Sequence, residues 1–254
     1  MRNVITIARK ELQAYFASPI AYIVIGFFAL LYGYFFYTLL WYFDRQSMQV
    51  APGSGMTMNV NQMLIGPVFM NVSVIVLFIM PMITMRTYAE EKRSGTIELL
   101  LTSPLTDWQI ILGKFLGAMS LYAVMLAVTA IHVGLLFVYG NPEWKPVATG
   151  YLGLFLMGGC FISAGLLISS LTKNQIVAGM VTFAVFLMLW VINWIGQSMG
   201  PTGQAIVTHL SITDHLDDFA RGIIDTKHLV YYASFIVFGL FLTAKSVDSE
   251  RWRG

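Results

Sequence analysis

Residues 64–85 read Leu-Ile-Gly-Pro-Val-Phe-Met-Asn-Val-Ser-Val-Ile-Val-Leu-Phe-Ile-Met-Pro-Met-Ile-Thr-Met and carry no charge. Residues 86–93, Arg-Thr-Tyr-Ala-Glu-Glu-Lys-Arg, then place five charges in eight positions. An uncharged run of this length fits a helix crossing the ~30 Å hydrocarbon core of a bilayer, and the charged run marks its exit into water. Five more apolar runs, at 20–43, 112–139, 149–171, 176–196 and 229–245, repeat the pattern. Composition agrees: 57% of the 254 residues are hydrophobic and 11% charged, against about 25% charged in soluble domains. The expected fold class is an all-α membrane protein with six transmembrane helices. Residues 1–254 are expected to form one membrane domain, with short loops between the spans.

Lys and Arg set the orientation. With the N-terminus cytoplasmic, Arg2, Arg9, Lys10, Arg86, Lys92, Arg93, Lys114, Lys173, Lys245, Arg251 and Arg253 lie inside, while Arg45, Lys145, Arg221 and Lys227 lie outside. Acidic residues divide almost evenly. That asymmetry is the positive-inside bias and places both termini in the cytoplasm. The net charge of +2 says little about partners, and no nucleic-acid partner is expected. Cys160 is the only cysteine, so no intrachain disulfide forms.

Residues 1–18 are too charged to span. Val4, Ile5, Ala8, Leu12, Tyr15 and Phe16 recur at helical spacing, with Arg9, Lys10, Glu11 and Gln13 on the other side, which predicts an amphipathic helix lying in the interface. A cleaved signal is the rival reading. It is disfavoured because Ser18-Pro19 breaks the helix and a full-length span follows. Pro81 falls inside the second span and predicts a kink. Gly150, Gly153, Gly158, Gly159 and Gly165 in the fourth would let neighbouring helices approach closely.

The segment 86–106 is the most informative. The charged run should continue the second helix until Gly95 interrupts it. Thr96 to Ser103 then reads as a short apolar helix with one acid, stopped by Pro104. Thr106 and Gln109 have the spacing of a capping box at the start of the third span. Such a helix could seat in a partner, or its leucines could dip into lipid headgroups; spacing alone leaves both open.

At these residues the chain resembles the type-2 ABC-transporter permeases. The resemblance rests on Glu90-Glu91-Lys92-Arg93-x-Gly95-Thr96-x-Glu98-x-Leu100-x-x-x-Pro104, on Gly113-Lys114, and on Ala8-Arg9-Lys10-Glu11-Leu12 before Ser18-Pro19. His215-x-x-x-Phe219-Ala220-Arg221-Gly222-Ile223-Ile224-Asp225, running into Leu229-Val230-Tyr231-Tyr232, is similar to the subgroup that includes gliding-motility-type permeases. What the resemblance implies is an inner-membrane permease of a bacterial cell, with an N-terminal elbow helix. It pairs with a second permease copy or a similar subunit and sits on two copies of an ABC ATPase. Glu91, Gly95, Thr96, Ile97, Glu98, Leu99, Leu100, Leu101 and Pro104 would be its coupling segment, and Arg9, Lys10 and Glu11 elbow contacts to the ATPase. ATP and Mg would be bound by that partner; the chain itself needs no cofactor. Membrane lipid and an auxiliary envelope protein complete the expected partners, and export is favoured over import.

Other chemistry finds little support. Gly113-Lys114 would end a phosphate loop only with Gly in place of Trp108 and a hydroxyl in place of Phe115, so the chain is not expected to be an enzyme. His209, Ser211, Asp214, His215 and Asp218 cluster in the outer re-entrant connection, 197–228, and invite a triad or metal reading, with metal ligands expected to be none. A half-buried amphipathic helix, its stripe formed by Ile212, Leu216, Phe219, Ile223 and Ile224, explains the same residues. Asn71, His132 and Asn193 lie within spans and either line a translocation path or hydrogen-bond between helices. The competing functions are a membrane anchor or assembly subunit doing mechanical work on an envelope complex and, least favoured, a membrane-embedded enzyme.

Overall fold

The structure, a computed structural model, describes residues 2–49, 59–196 and 200–251, and every regular element among them is helical. In chain order these are α1 (Arg2–Ala17), α2 (Pro19–Gln49), a π-helical turn (Asn61–Ile65), α3 (Gly66–Thr84), α4 (Ala89–Ser94), α5 (Thr96–Leu101), α6 (Asp107–Tyr139), α7 (Trp144–Leu171), α8 (Gln175–Gly196), α9 (Pro201–Leu210), α10 (Ile212–Ala220) and α11 (Thr226–Arg251). Six of these stretches are long and apolar enough to cross a membrane: α2, α3 with its extensions, α6, α7, α8 and α11.

α7 is the hub, packed against α3, α6, α8, α10 and α11. Its glycines make this possible. A Cβ on Gly150 would meet Phe69, on Gly153 Phe219, on Gly158 Tyr122, on Gly159 Ile236 and on Gly165 Thr84, each closer than 3.0 Å. In lipid such close approach supplies van der Waals contact where no hydrophobic driving force exists between helices. Large exposed apolar side chains such as Phe27, Leu30, Ile131 and Phe238 face outward from the bundle, as lipid-facing positions should.

Four expectations change. The second helix does not run unbroken to Gly95: it ends at Thr84, turns over 85–88, and restarts as α4. The turn is stable because Ser169 Oγ of α7 donates to Met85 O (2.9 Å) and accepts from Tyr88 N (3.0 Å) and Ala89 N (3.1 Å). One hydroxyl thus satisfies three buried backbone groups that a helix break would orphan. Secondly, the short helix stops at Leu101 rather than Ser103, where Thr102 Oγ1 and its own N–H both bond Glu98 O (2.9 Å each).

Thirdly, α1 buries Ile7 and Tyr15 and leaves Ile5 65% exposed. The apolar face is rotated because Gly113 of α6 offers Ile7 a hole that spacing within α1 cannot reveal. Fourthly, Ile212, Leu216 and Phe219 are buried in α10, but Ile223 and Ile224 are exposed. α10 ends at Ala220 and Gly222 turns the chain at φ 90°, so those two residues leave the stripe. Pro81 lies inside α3, one turn before its end. The Thr106 cap forms, accepting from Gln109 N, while Gln109 Oε1 takes a bond from Asn3 of α1 (3.3 Å).

Candidate coupling site

The end of the bundle bearing α1, α4 and α5 is organised around Lys114, which is buried at 2% exposure. Its Nζ donates to Glu11 Oε1 of α1 (3.0 Å), to Glu91 Oε1 of α4 (2.7 Å) and to Thr87 O in the turn (3.0 Å). An ammonium has three donors and here all three are used; the Tyr88 ring lies 5.1 Å from the same nitrogen. A buried charge persists only when paired and hydrogen-bonded, and removing one partner costs ~3–5 kcal/mol. Lys114 therefore fixes α1, α4 and the root of α6 relative to one another.

The geometry around it explains the neighbouring glycines. A Cβ on Gly113 would stand 2.5 Å from Ile7, and one on Gly117 would stand 2.7 Å from Glu11 Cβ. This Gly113-x-x-x-Gly117 stripe brings α1 close enough for Glu11 to reach Lys114. One turn further along the same face of α1, Tyr15 Oη donates to Ile83 O (3.0 Å), and Arg86 lies over its ring at 4.8 Å. Burial pushes the Tyr15 phenol up to about 12, so it stays a donor throughout physiological pH. Lys92 of α4, also buried, pairs with Glu250 of α11 at 2.6 Å.

α4 is thus tied to α6 and α1 by Lys114, to α7 by Ser169 and to α11 by Lys92. From this platform α5 projects through Gly95, whose φ of 74° is the left-handed conformation that glycine adopts without a Cβ penalty. Within α5, Ile97 is buried against the bundle at 8% exposure, whereas Leu99 is 73% exposed. Thr96 and Glu98 are also exposed. Ile97, expected to face a partner, instead anchors α5 inward, because a short helix has one face for each side. The side chains of Leu100 and Leu101 lie outside the described residues. Pro104 follows α5 in the link to α6. Arg9 and Lys10 are exposed, but Glu11, expected to be an outward contact, is turned inward to Lys114. Lys10, Glu11, Arg86, Glu90, Glu91 and Thr96 line one cleft of about 480 Å³ between α1 and α4.

The polar residues within the spans are distributed differently. His132 of α6 packs edge-on against Tyr32 (5.2 Å) and Phe36 (5.5 Å) of α2, and its Nδ1 is buried without a hydrogen-bond partner. Asn71 is half-buried on α3, and the Asn193 side chain lies outside the described residues. Nearby, Thr129 and Tyr151 share a hydroxyl–hydroxyl bond (2.9 Å) that periodicity alone gave no reason to single out.

In the connection between α8 and α11, Ser211 is the N-cap of α10, accepting from Asp214 N (3.3 Å), which gives its hydroxyl a structural task. His215 Nε2 faces His209 O (3.2 Å) and so donates; its Nδ1 meets His228 Nδ1, and His228 Nε2 meets Asp218 Oδ2 (2.6 Å). His228 was outside the cluster expected from sequence. Only the turn at Gly222, which folds α11 back on α10, brings it in. The chain Asp218–His228–His215–His209 joins α9, α10 and α11, so it reads as a structural tie.

Comparison with known proteins agrees with this architecture. The chain is similar to the probable multidrug ABC transporter permease YbhR of Escherichia coli (strain K12), at 36% identity over 93 residues. The same figures hold for the YbhR protein of Escherichia coli O157:H7. The matched stretch is 37% of this chain and 25% of those relatives. The profile of the ABC-2 family transporter proteins matches residues 5–221, nearly the full length from α1 to the end of α10, and the chain belongs to that family.

Proposed function

We propose that the chain is the permease subunit of an ATP-driven exporter and that α5 is its contact with a separate ABC ATPase. The observation that carries this reading is the contrast between α4 and α5. α4 is bound to four other helices through Lys114, Ser169 and Lys92, while α5 presents Thr96, Glu98 and Leu99 outward from it. A rigid platform with one projecting apolar helix transmits a push; a lipid-resting loop needs no such anchoring. Glu91 keeps one buried carboxylate oxygen, Oε2, without a hydrogen-bond partner, and a basic side chain of the ATPase would satisfy it from the cleft. Arg9 and Lys10 are the elbow residues free to meet the same partner.

The positive-inside bias supports a bacterial inner-membrane protein with both termini cytoplasmic, which puts α5 on the side where ATP is. Two ATPase copies and a second permease copy complete the assembly, with ATP and Mg held by the ATPases. Asn71, His132 and Asn193 are assigned to the translocation path, since polar groups inside spans tend to face a cavity or the bundle interior. The likeness of residues 215–232 to gliding-motility-type permeases supports placement in that subgroup.

Copurification from native membranes tests the reading. An ATP-binding polypeptide should be recovered with the wild-type chain and lost with Glu98→Ala/Leu99→Ala, while both chains insert and accumulate equally. Recovery of the wild-type chain with no ATPase, under conditions that preserve other membrane complexes, contradicts it.

A further inference from the structure

The opposite end of the bundle holds a cavity of about 500 Å³ between the π-helical turn, the start of α7 and the end of α10. That size is within the ~300–1,000 Å³ of small-molecule sites. Its floor is apolar, including Pro67, Met70 and Pro146, and its rim carries Gln62, Glu143, Asp217 and Arg221. The rim is built. Asn61, buried at 5% exposure, donates through Nδ2 to Glu143 O (3.0 Å) and accepts at Oδ1 from Glu143 N (3.1 Å). A side chain thus grips the backbone of Glu143 on both sides and leaves its carboxylate free, and that carboxylate makes no ion pair among the described residues. Arg221 and Asp217 pair at 2.6 Å on the other wall, both well exposed. The π-helical turn supplying Asn61 and Gln62 is a rare conformation that is frequent at functional sites.

We infer that this cavity takes a phosphoethanolamine group, with Glu143 receiving the ammonium and Arg221 the phosphate. The rim's net charge of −1 rejects a purely anionic group. The ammonium supplies donors that match a free carboxylate, and the exposed Arg221 guanidinium suits a phosphate. The depth also fits: Tyr139 and Trp144, 87% and 66% exposed, flank the Glu143 loop, and exposed aromatic rings at span ends mark the headgroup layer. The inference shares only the membrane placement with the permease reading, not the coupling at α5.

Native mass spectrometry of the purified chain in detergent, with no ATPase present, tests it separately from coupling. Titrated with phosphatidylethanolamine and phosphatidylglycerol, the chain should retain the first about tenfold better, the discrimination expected of one charge-assisted bond. Glu143→Gln should remove most of that preference, because the Asn61 clamp holds the backbone and not the carboxylate. Arg221→Gln should weaken retention too, and Asp44→Asn, an exposed charge outside the cavity, should not. Displacement by soluble glycerophosphoethanolamine would assign a free ligand of the same chemistry; retention against it would assign the lipid. Equal retention of the two lipids, or an unchanged preference in Glu143→Gln, overturns the proposal.

Discussion

Lys114 shows how one side chain can hold three elements. Its ammonium meets two carboxylates and a carbonyl from α1, α4 and the turn before it. Lys114→Met would leave Glu11 and Glu91 facing each other partly buried, at a cost of ~3–5 kcal/mol. The expected outcome is a lower unfolding midpoint in detergent and loss of ATPase stimulation. Lys114→Arg should not restore either, because a planar fork cannot reproduce three divergent bonds. Ser169→Ala is a subtler case. Three buried backbone groups lose their hydroxyl partner, so ~1–3 kcal/mol should be lost, with faster amide exchange at Tyr88 and Ala89. Neither role was legible from the chain alone. Gly113-Lys114 stood out by resemblance and as an incomplete phosphate loop, neither of which points to an ion-pair hub, and Ser169 is one hydroxyl in an apolar helix whose partners are 80 residues or more away.

At the scale of elements, the spans were readable, because an uncharged run long enough to cross a bilayer has few alternatives, but the break at 85–88 was not, since it depends on Ser169 of α7. α8 keeps the bounds that hydropathy indicated to within one residue, whereas α6 and α7 begin five residues before their apolar runs and α2 and α11 end six residues beyond theirs. What hydropathy could not give was rotation about each helix axis. Ile7 rather than Ile5 meets α6, and Ile97 turns inward while Leu99 turns out, since a partner's glycine or groove decides which face is buried. Ile97→Ala should therefore cost ~2–4 kcal/mol of the bundle's own stability, whereas Leu99→Ala should leave stability unchanged and weaken ATPase association. The α10–α11 tie has a pH dependence. Burial lowers the His215 pKa below its ordinary 6.5, opposed by the His209 carbonyl. Its folded-state value is thus below the unfolded one, so its contribution to stability is full above about pH 6.5 and is lost as pH falls through the folded value. A second proton on His215 would also set two donors against each other at the His228 Nδ1 contact, while Asp218, Asp225 and Lys227 surround the pair. Protection factors across Ile212–Ala220, corrected for the intrinsic pH dependence of amide exchange, should fall as the pH drops below about 6.5, and His215→Gln should remove most of that fall.

For the whole molecule, the six spans put α5 at one end and the Glu143 cavity at the other. Reporter fusions after Gly254 and within 87–94 should report the cytoplasm, and a fusion at Thr202 the opposite side; matching signals at Thr202 and Gly254, across α11, would break that arrangement. The central claim is that α5 docks on an ATPase. Site-directed cross-linking tests it most directly, with Leu99→Cys in a Cys160→Ser background and Ile131→Cys, an exposed position on the apolar surface of α6, as control. The account predicts that a short thiol-reactive cross-linker at position 99 captures an ATP-binding polypeptide in native membranes, and that the same reagent at 131 does not. Capture at neither position, with the ATPase present and the permease inserted, would contradict it.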